Sequence, residues 1–177
     1  MSAAQWIEAG QFFVDPCADQ FRSGTESRDV WQDLSLPLPL PESQVAALRR
    51  IAKRMNAICP GLTSGVIAVF TGCDAAGKLM AAEALAYEIQ RTLYRVDAGE
   101  FGPPETTHFA LLLSEAKAEN AILMIDNACG LPIALIESLR GYSGLSILIT
   151  DSAQEISTNL RQSAHYLVDF PFPADNE

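Results

Sequence analysis

The chain has 177 residues, of which 49% are apolar and 19% charged. That is enough apolar material for one real core and too much for a disordered chain. Lys plus Arg is 12 against 22 Asp plus Glu, a net charge of −10, and a chain this acidic repels phosphate backbones and anionic lipid, which argues against nucleic-acid or membrane binding.

Residues 1–35 read as an N-terminal arm. Trp6, Phe12, Phe13, Phe21 and Trp31 are scattered among polar residues, the aromatics serving to anchor the arm on a globular body. The first residues lack a positive n-region and carry Glu8, so they do not read as a signal peptide. No apolar run reaches the ~20 residues of a membrane span. The four cysteines, Cys17, Cys59, Cys73 and Cys129, form no CxxC pair. A cytoplasmic protein with reduced thiols is expected. In Leu34–Pro41 leucines alternate with Pro37, Pro39 and Pro41, which forbids helix and predicts an extended connection.

Residues 36–177 read as an α/β core. A helix begins near Pro41, with Val45, Leu48, Ile51, Ala52, Met55 and Ile58 on one face. The basic group Arg49, Arg50, Lys53 and Arg54 falls opposite, as a solvated face. Short apolar runs then alternate with helical patterns. Strands are predicted at 66–70, 93–96, 122–125, 146–150 and 166–170, and helices at 77–91, 106–119, 132–139 and 153–161. Strands that read as continuous apolar runs are buried on both faces, and alternation with helices makes them parallel.

The first core strand runs into Gly72-Cys73-Asp74-Ala75-Ala76-Gly77-Lys78-Leu79. This fits GxxxxGK, the phosphate-binding loop. Glycines let the backbone turn its N–H groups toward an anion, the following helix offers its positive end, and the lysine reaches the phosphates. Ile122-Leu123-Met124-Ile125-Asp126 is four apolar residues followed by an acid, the Walker B pattern, whose acid holds magnesium. In an α/β sheet the two strand ends meet at one ligand site. His108 and His165 have no ligand spacing around them and read as surface or packing residues.

With these motifs in place the chain resembles the AAA+ ATPase core, in the classical AAA branch, from about residue 31 to 173. VFTGCDAAGKLMAAEALAYEIQRTLYRVDAGEF resembles the family's strand, loop, helix and second strand. ILMID resembles Walker B, SILITDS the sensor-1 strand, and VDFPFP the segment that closes the core. The resemblance implies a three-layer α/β sandwich around a five-stranded parallel sheet, ATP as ligand, and ring assemblies that remodel proteins.

The departures from that pattern gather at the reaction centre. Leu79 stands where the family places a magnesium-binding hydroxyl, and an isobutyl group ligates no hard cation. That puts magnesium, and Asp126 as its ligand, in question. Asn127 follows Asp126 where the family has a catalytic Glu; an amide does not accept water's proton. Asp151 stands at the sensor-1 position, where an acid would repel a γ-phosphate. Asp74 places a carboxylate in the phosphate cradle, and Ala75 is strained if its position needs a positive φ. The arginine-finger positions align near Gln162 and Ser163, with Arg161 one place away. The chain ends at Glu177, so the helical lid of the family is expected to be absent. These losses predict a degenerate AAA+ core, a pseudo-ATPase serving as scaffold or regulatory subunit in a protein complex, with an active AAA+ subunit or a second copy as partner. Nucleotide binding remains open through Gly72, Gly77 and Lys78. The alternative is a weak or partner-completed ATPase engaged in protein remodelling. Lys78 itself is expected to take Asp74, Asp126 or Asp151 as an internal counter-charge.

Overall fold

A computed structural model describes residues 13–14, 40–57, 65–100, 106–153 and 156–171. In chain order these form β1 (Phe13–Val14), α1 (Glu42–Ala57), β2 (Val66–Thr71), α2 (Ala75–Glu88), β3 (Leu93–Asp97), α3 (Thr106–Ala118), β4 (Ile122–Asp126), α4 (Ile133–Arg140), β5 (Leu145–Ile149), α5 (Thr158–Ser163) and β6 (Tyr166–Asp169). The sheet runs β1-β3-β4-β5-β2-β6. β3 to β6 and β2 are all parallel, the predicted five strands, while β1 adds a two-residue antiparallel edge on β3. That edge was not expected within the arm; the rest of residues 1–35, and Pro37 and Pro39 with them, lies outside the described residues, as do Cys17 and Cys59.

Every residue of β2 is buried, as are all of β5 and the first four residues of β4. Alternation sends Val66, Ala68 and Phe70 into one apolar cluster, with α1 and α2, and Ile67 and Val69 into the other, with α3, α4 and α5. Two cores on opposite faces of one sheet make the three layers. Phe70 and Phe170 lie fully buried with ring centroids 5.0 Å apart. Burying one such ring contributes roughly 1.5–3 kcal/mol. On α1, Leu48, Ile51, Ala52 and Met55 are buried and the four basic residues are exposed, so the basic group is a solvated face.

The helix boundaries differ from the periodic reading for local reasons. α2 begins at Ala75 instead of Gly77 because Asp74 caps it. It ends at Glu88 because Gln90 turns left-handed at φ 52°, and Arg91 N–H then bonds back to Ala86 O at 2.9 Å. α3 ends the same way at Asn120, φ 54°, with Ala121 N–H on Ala116 O at 2.8 Å. α5 starts only at Thr158, where the Ser157 hydroxyl accepts from Leu160 N–H. No helix among the described residues is long and apolar enough to cross a membrane.

Candidate functional site

The glycine loop leaves β2 at Thr71 and enters α2 at Ala75. Gly72 has φ +103°, and a Cβ there would lie 2.1 Å from Phe170 O, so only glycine fits. Asp74 N–H donates to that same Phe170 O at 3.1 Å. The Asp74 carboxylate then folds over the helix start, its Oδ1 accepting from Gly77 N–H at 2.8 Å. Its Oδ2 lies where a Cβ of residue 77 would fall, at 2.2 Å, so the second glycine is matched to the cap. The backbone N–H of Lys78 is bonded to Asp74 O at 3.1 Å, and that of Ala75 to Cys73 O at 3.0 Å. N–H groups that a phosphate loop turns toward its anion are therefore engaged inside this chain. Ala75 is a helical residue and lies outside the positive-φ set, so the strain foreseen for it does not arise. Cys73, Ala75 and Ala76 are exposed.

Lys78 is 1% exposed, yet its ammonium is fully satisfied. Nζ donates to Gly72 O at 2.7 Å, Thr150 O at 3.0 Å and Asp151 Oδ1 at 3.1 Å. Three donors meet three acceptors, which is what an ammonium out of water requires. Among the three candidate counter-charges the structure selects Asp151. That side chain is 82% exposed, so its carboxylate is solvated on the outer side while Lys78 is not.

The acid at the end of β4 is also engaged. Parallel register places Asp97 of β3 beside Asp126 of β4. Like charges on adjacent strands repel. Arg95, two residues before Asp97 and so on the same face, relieves this: its Nε donates to Asp126 Oδ2 at 2.6 Å. Asp97 accepts from Asn127 Nδ2 and from Gly99 N–H, both at 2.7 Å. Asn127 takes a left-handed conformation, φ 54° and ψ 37°, that asparagine tolerates better than most residues. Lys78, Leu79, Arg95, Asp97, Asp126, Asn127 and Asp151 line one cleft of about 420 Å³, with Met124 and Ile149 as its apolar floor. Of the residues that sequence spacing singled out, Ala75, Ala76, Lys78 and Leu79 meet Asp126, Asn127 and Asp151 at this cleft, while Gly72, Cys73, Asp74 and Gly77 lie outside its lining. Arg95 and Asp97 were missed. Their signal was two polar residues alternating at the C-terminal end of an otherwise buried strand.

The other candidates stay apart from the cleft lining. Arg161 Nη2 donates to Ala153 O at 2.7 Å, Gln162 is exposed, and Ser163 Oγ donates to Asn159 O at 2.8 Å. His165 is a surface residue whose Nδ1 accepts from Ile67 N–H at 3.1 Å. Burial, and then the positive charges of Arg54 and Arg140, hold its pKa below the ordinary histidine value. His108 is half-buried on α3. The described residues hold no group of three His, Cys, Asp or Glu placed for a metal ion.

Superposed on known structures, the chain matches the AAA domain of FIGL-1 in complex with ADP at a TM-score of 0.67, with 16% identity over 98% of this chain and 63% of that one. The fold is that of an AAA domain. A structure bearing on katanin self-assembly matches at 0.60, with 16% identity over 86% of this chain and 63% of that one. The Thermotoga maritima RuvB Holliday junction branch migration motor matches at 0.54, with 17% identity over 73% and 43%. The chain thus spans about three-fifths of the length of the FIGL-1 and katanin structures. No protein-family model and no curated protein matches this sequence.

An AAA fold implies a nucleotide and magnesium. Magnesium wants oxygen ligands in an octahedron. Here Leu79 presents carbon, and Asp126 already bonds a guanidinium. The donor set does not fit magnesium. The groups for phosphate, Lys78 and the loop amides, are present and held by Asp151, Asp74 and backbone carbonyls.

Proposed function

We propose that this chain is an AAA ATPase-like domain without ATP hydrolysis, a pseudo-ATPase that acts as a scaffold or regulatory subunit in a protein complex. The observation that carries this reading is the Arg95–Asp126 pair beside Leu79, which takes the metal's acid and offers no metal oxygen. Asn127 adds to it, since its amide is spent on Asp97 and has no basic oxygen for a water proton. Phosphoryl transfer is catalysed almost wholly by positioning and charge, so loss of metal and base together removes most of the rate. ADP in the FIGL-1 domain and self-assembly in katanin support a nucleotide-shaped cleft and a protein partner, either an active AAA subunit or a second copy of this chain. We place the protein in the cytoplasm, where the exposed thiols of Cys73 and Cys129 stay reduced.

The test is calorimetric titration of ATP with and without magnesium, paired with a phosphate-release assay. Expected are no release above the protein-free rate and weak binding at most, with no gain from magnesium. Magnesium-dependent turnover that Lys78→Ala abolishes would instead establish the second reading, an ATPase completed by a partner. That reading is favoured by one feature, the cleft of about 420 Å³ that remains between the loop and the strand ends.

A further inference from the structure

We propose that Arg95 is the resident cation of this cleft, standing beside Asp126 where a metal-dependent phosphate site holds its divalent ion, and that the ligand the cleft admits is a nucleoside diphosphate free of metal. The inference rests on the reading above and names the ligand form and the residue that selects it.

The position of Arg95 follows from register. β3 and β4 run parallel with Arg95 opposite Met124 and Asp97 opposite Asp126. Alternation along β3 puts Arg95 and Asp97 on the face that borders the cleft. Arg95 reaches Asp126 through Nε alone, at 2.6 Å, and its two terminal amino groups make no hydrogen bond to the described residues. A guanidinium has five N–H donors, so four remain for an incoming anion. The side chain is 47% exposed against 19% for Asp126, which puts the arginine on the solvent side of the pair. Leu79, also on the cleft wall, offers no oxygen that would draw a metal into the same space.

The three acids of the cleft are each committed. Asp126 bonds Arg95, Asp97 bonds Asn127 and Gly99 N–H, and Asp151 bonds Lys78. A divalent ion would have to displace a guanidinium from its one well-placed carboxylate. A diphosphate has an easier entry. It replaces the solvated Asp151 carboxylate at Lys78 Nζ and meets the free donors of Arg95, so two fixed cations face its charge. Magnesium bound to the diphosphate lowers that charge and brings a third cation beside Arg95, which opposes binding.

The experiment is a calorimetric titration of ADP into the full chain, in EDTA and in excess magnesium. ADP carries no transferable γ-phosphate, so the outcome is independent of whether ATP is hydrolysed. The wild-type chain should bind ADP at least as well in EDTA as in magnesium. Arg95→Gln should weaken binding in EDTA by about tenfold or more, the worth of a charge-assisted hydrogen bond, and Arg95→Lys should recover part of it. Asp126→Asn should strengthen metal-free binding severalfold, because it releases the guanidinium and removes a negative charge, whereas in a metal site the same change weakens binding. Magnesium that tightens the wild-type complex, an Arg95→Gln affinity equal to wild type, a loss of affinity in Asp126→Asn, or no ADP binding by the wild-type chain would each overturn the proposal. If Arg95→Gln does not fold, the sign of the Asp126→Asn effect decides.

Discussion

Lys78 shows how a buried charge is held by this fold. Its ammonium leans on the backbone carbonyls of Gly72 and Thr150, the second of them buried, and on one carboxylate that water reaches freely. The two kinds of partner differ in energy. An exposed carboxylate contributes at most about 1 kcal/mol to a pair, so Asp151→Asn should cost no more than that in urea denaturation. Lys78→Met removes the donors and strands the carbonyls of Gly72 and Thr150, for an expected loss of about 1–3 kcal/mol. A larger loss in Asp151→Asn than in Lys78→Met would show that the ion pair, and not the carbonyls, holds the lysine in place. The same residue explains the conflict between motif and structure: a lysine that reads as a phosphate contact is, in the folded chain, bonded three times to its own protein.

At the scale of elements, His165 ties the start of β6 to β2. Its backbone N–H donates to Ile67 O at 2.8 Å while its Nδ1 accepts from Ile67 N–H. That acceptor exists only in the neutral ring. Because the folded pKa is lowered, the unfolded chain takes up the proton first as pH falls, so the unfolded state binds more protons in that window and stability rises with pH. The contribution is full above about pH 6.5, the unfolded value, and declines as pH falls from there toward the folded value. Urea midpoints measured from about pH 7.5 to 5 should fall in the wild-type chain and flatten in this range in His165→Gln. The alternation of strands and helices was legible in the sequence because β2, β4 and β5 are buried on both faces and their runs are unbroken. The loop was legible because its motif is local. Asp74, the carboxylate of the cradle, is also a helix cap, a role that an acid three residues before Gly77 signals. Arg95 and Asp126 are 31 residues apart, and their pairing depends on the register of two strands, which no local pattern states. β1 is two residues long, below the length at which alternation has any meaning.

The whole molecule combines an AAA fold with a net charge of −10 and a cleft in which three acids face two cations. On the proposed reading no hydrolysis cycle drives the domain, so its assembly should not wait on ATP and magnesium. Light scattering should give a molar mass that ATP and magnesium leave unchanged, whether that mass is one chain or several. A mass that rises only with ATP and magnesium together would contradict the pseudo-ATPase reading.

The root of the glycine loop is stitched to the last strand from both sides. Thr71 Oγ1 donates to Asp169 Oδ1, Phe170 N–H to Thr71 O, and Asp74 N–H to Phe170 O, while Gln44 of α1 closes over Asp169 O. Residues nearly a hundred positions apart are thereby bonded directly, with the turn at one end and the far margin of the sheet at the other. An occupant of the turn, whether a captured ligand or a docking protein, bears on that margin directly through these bonds.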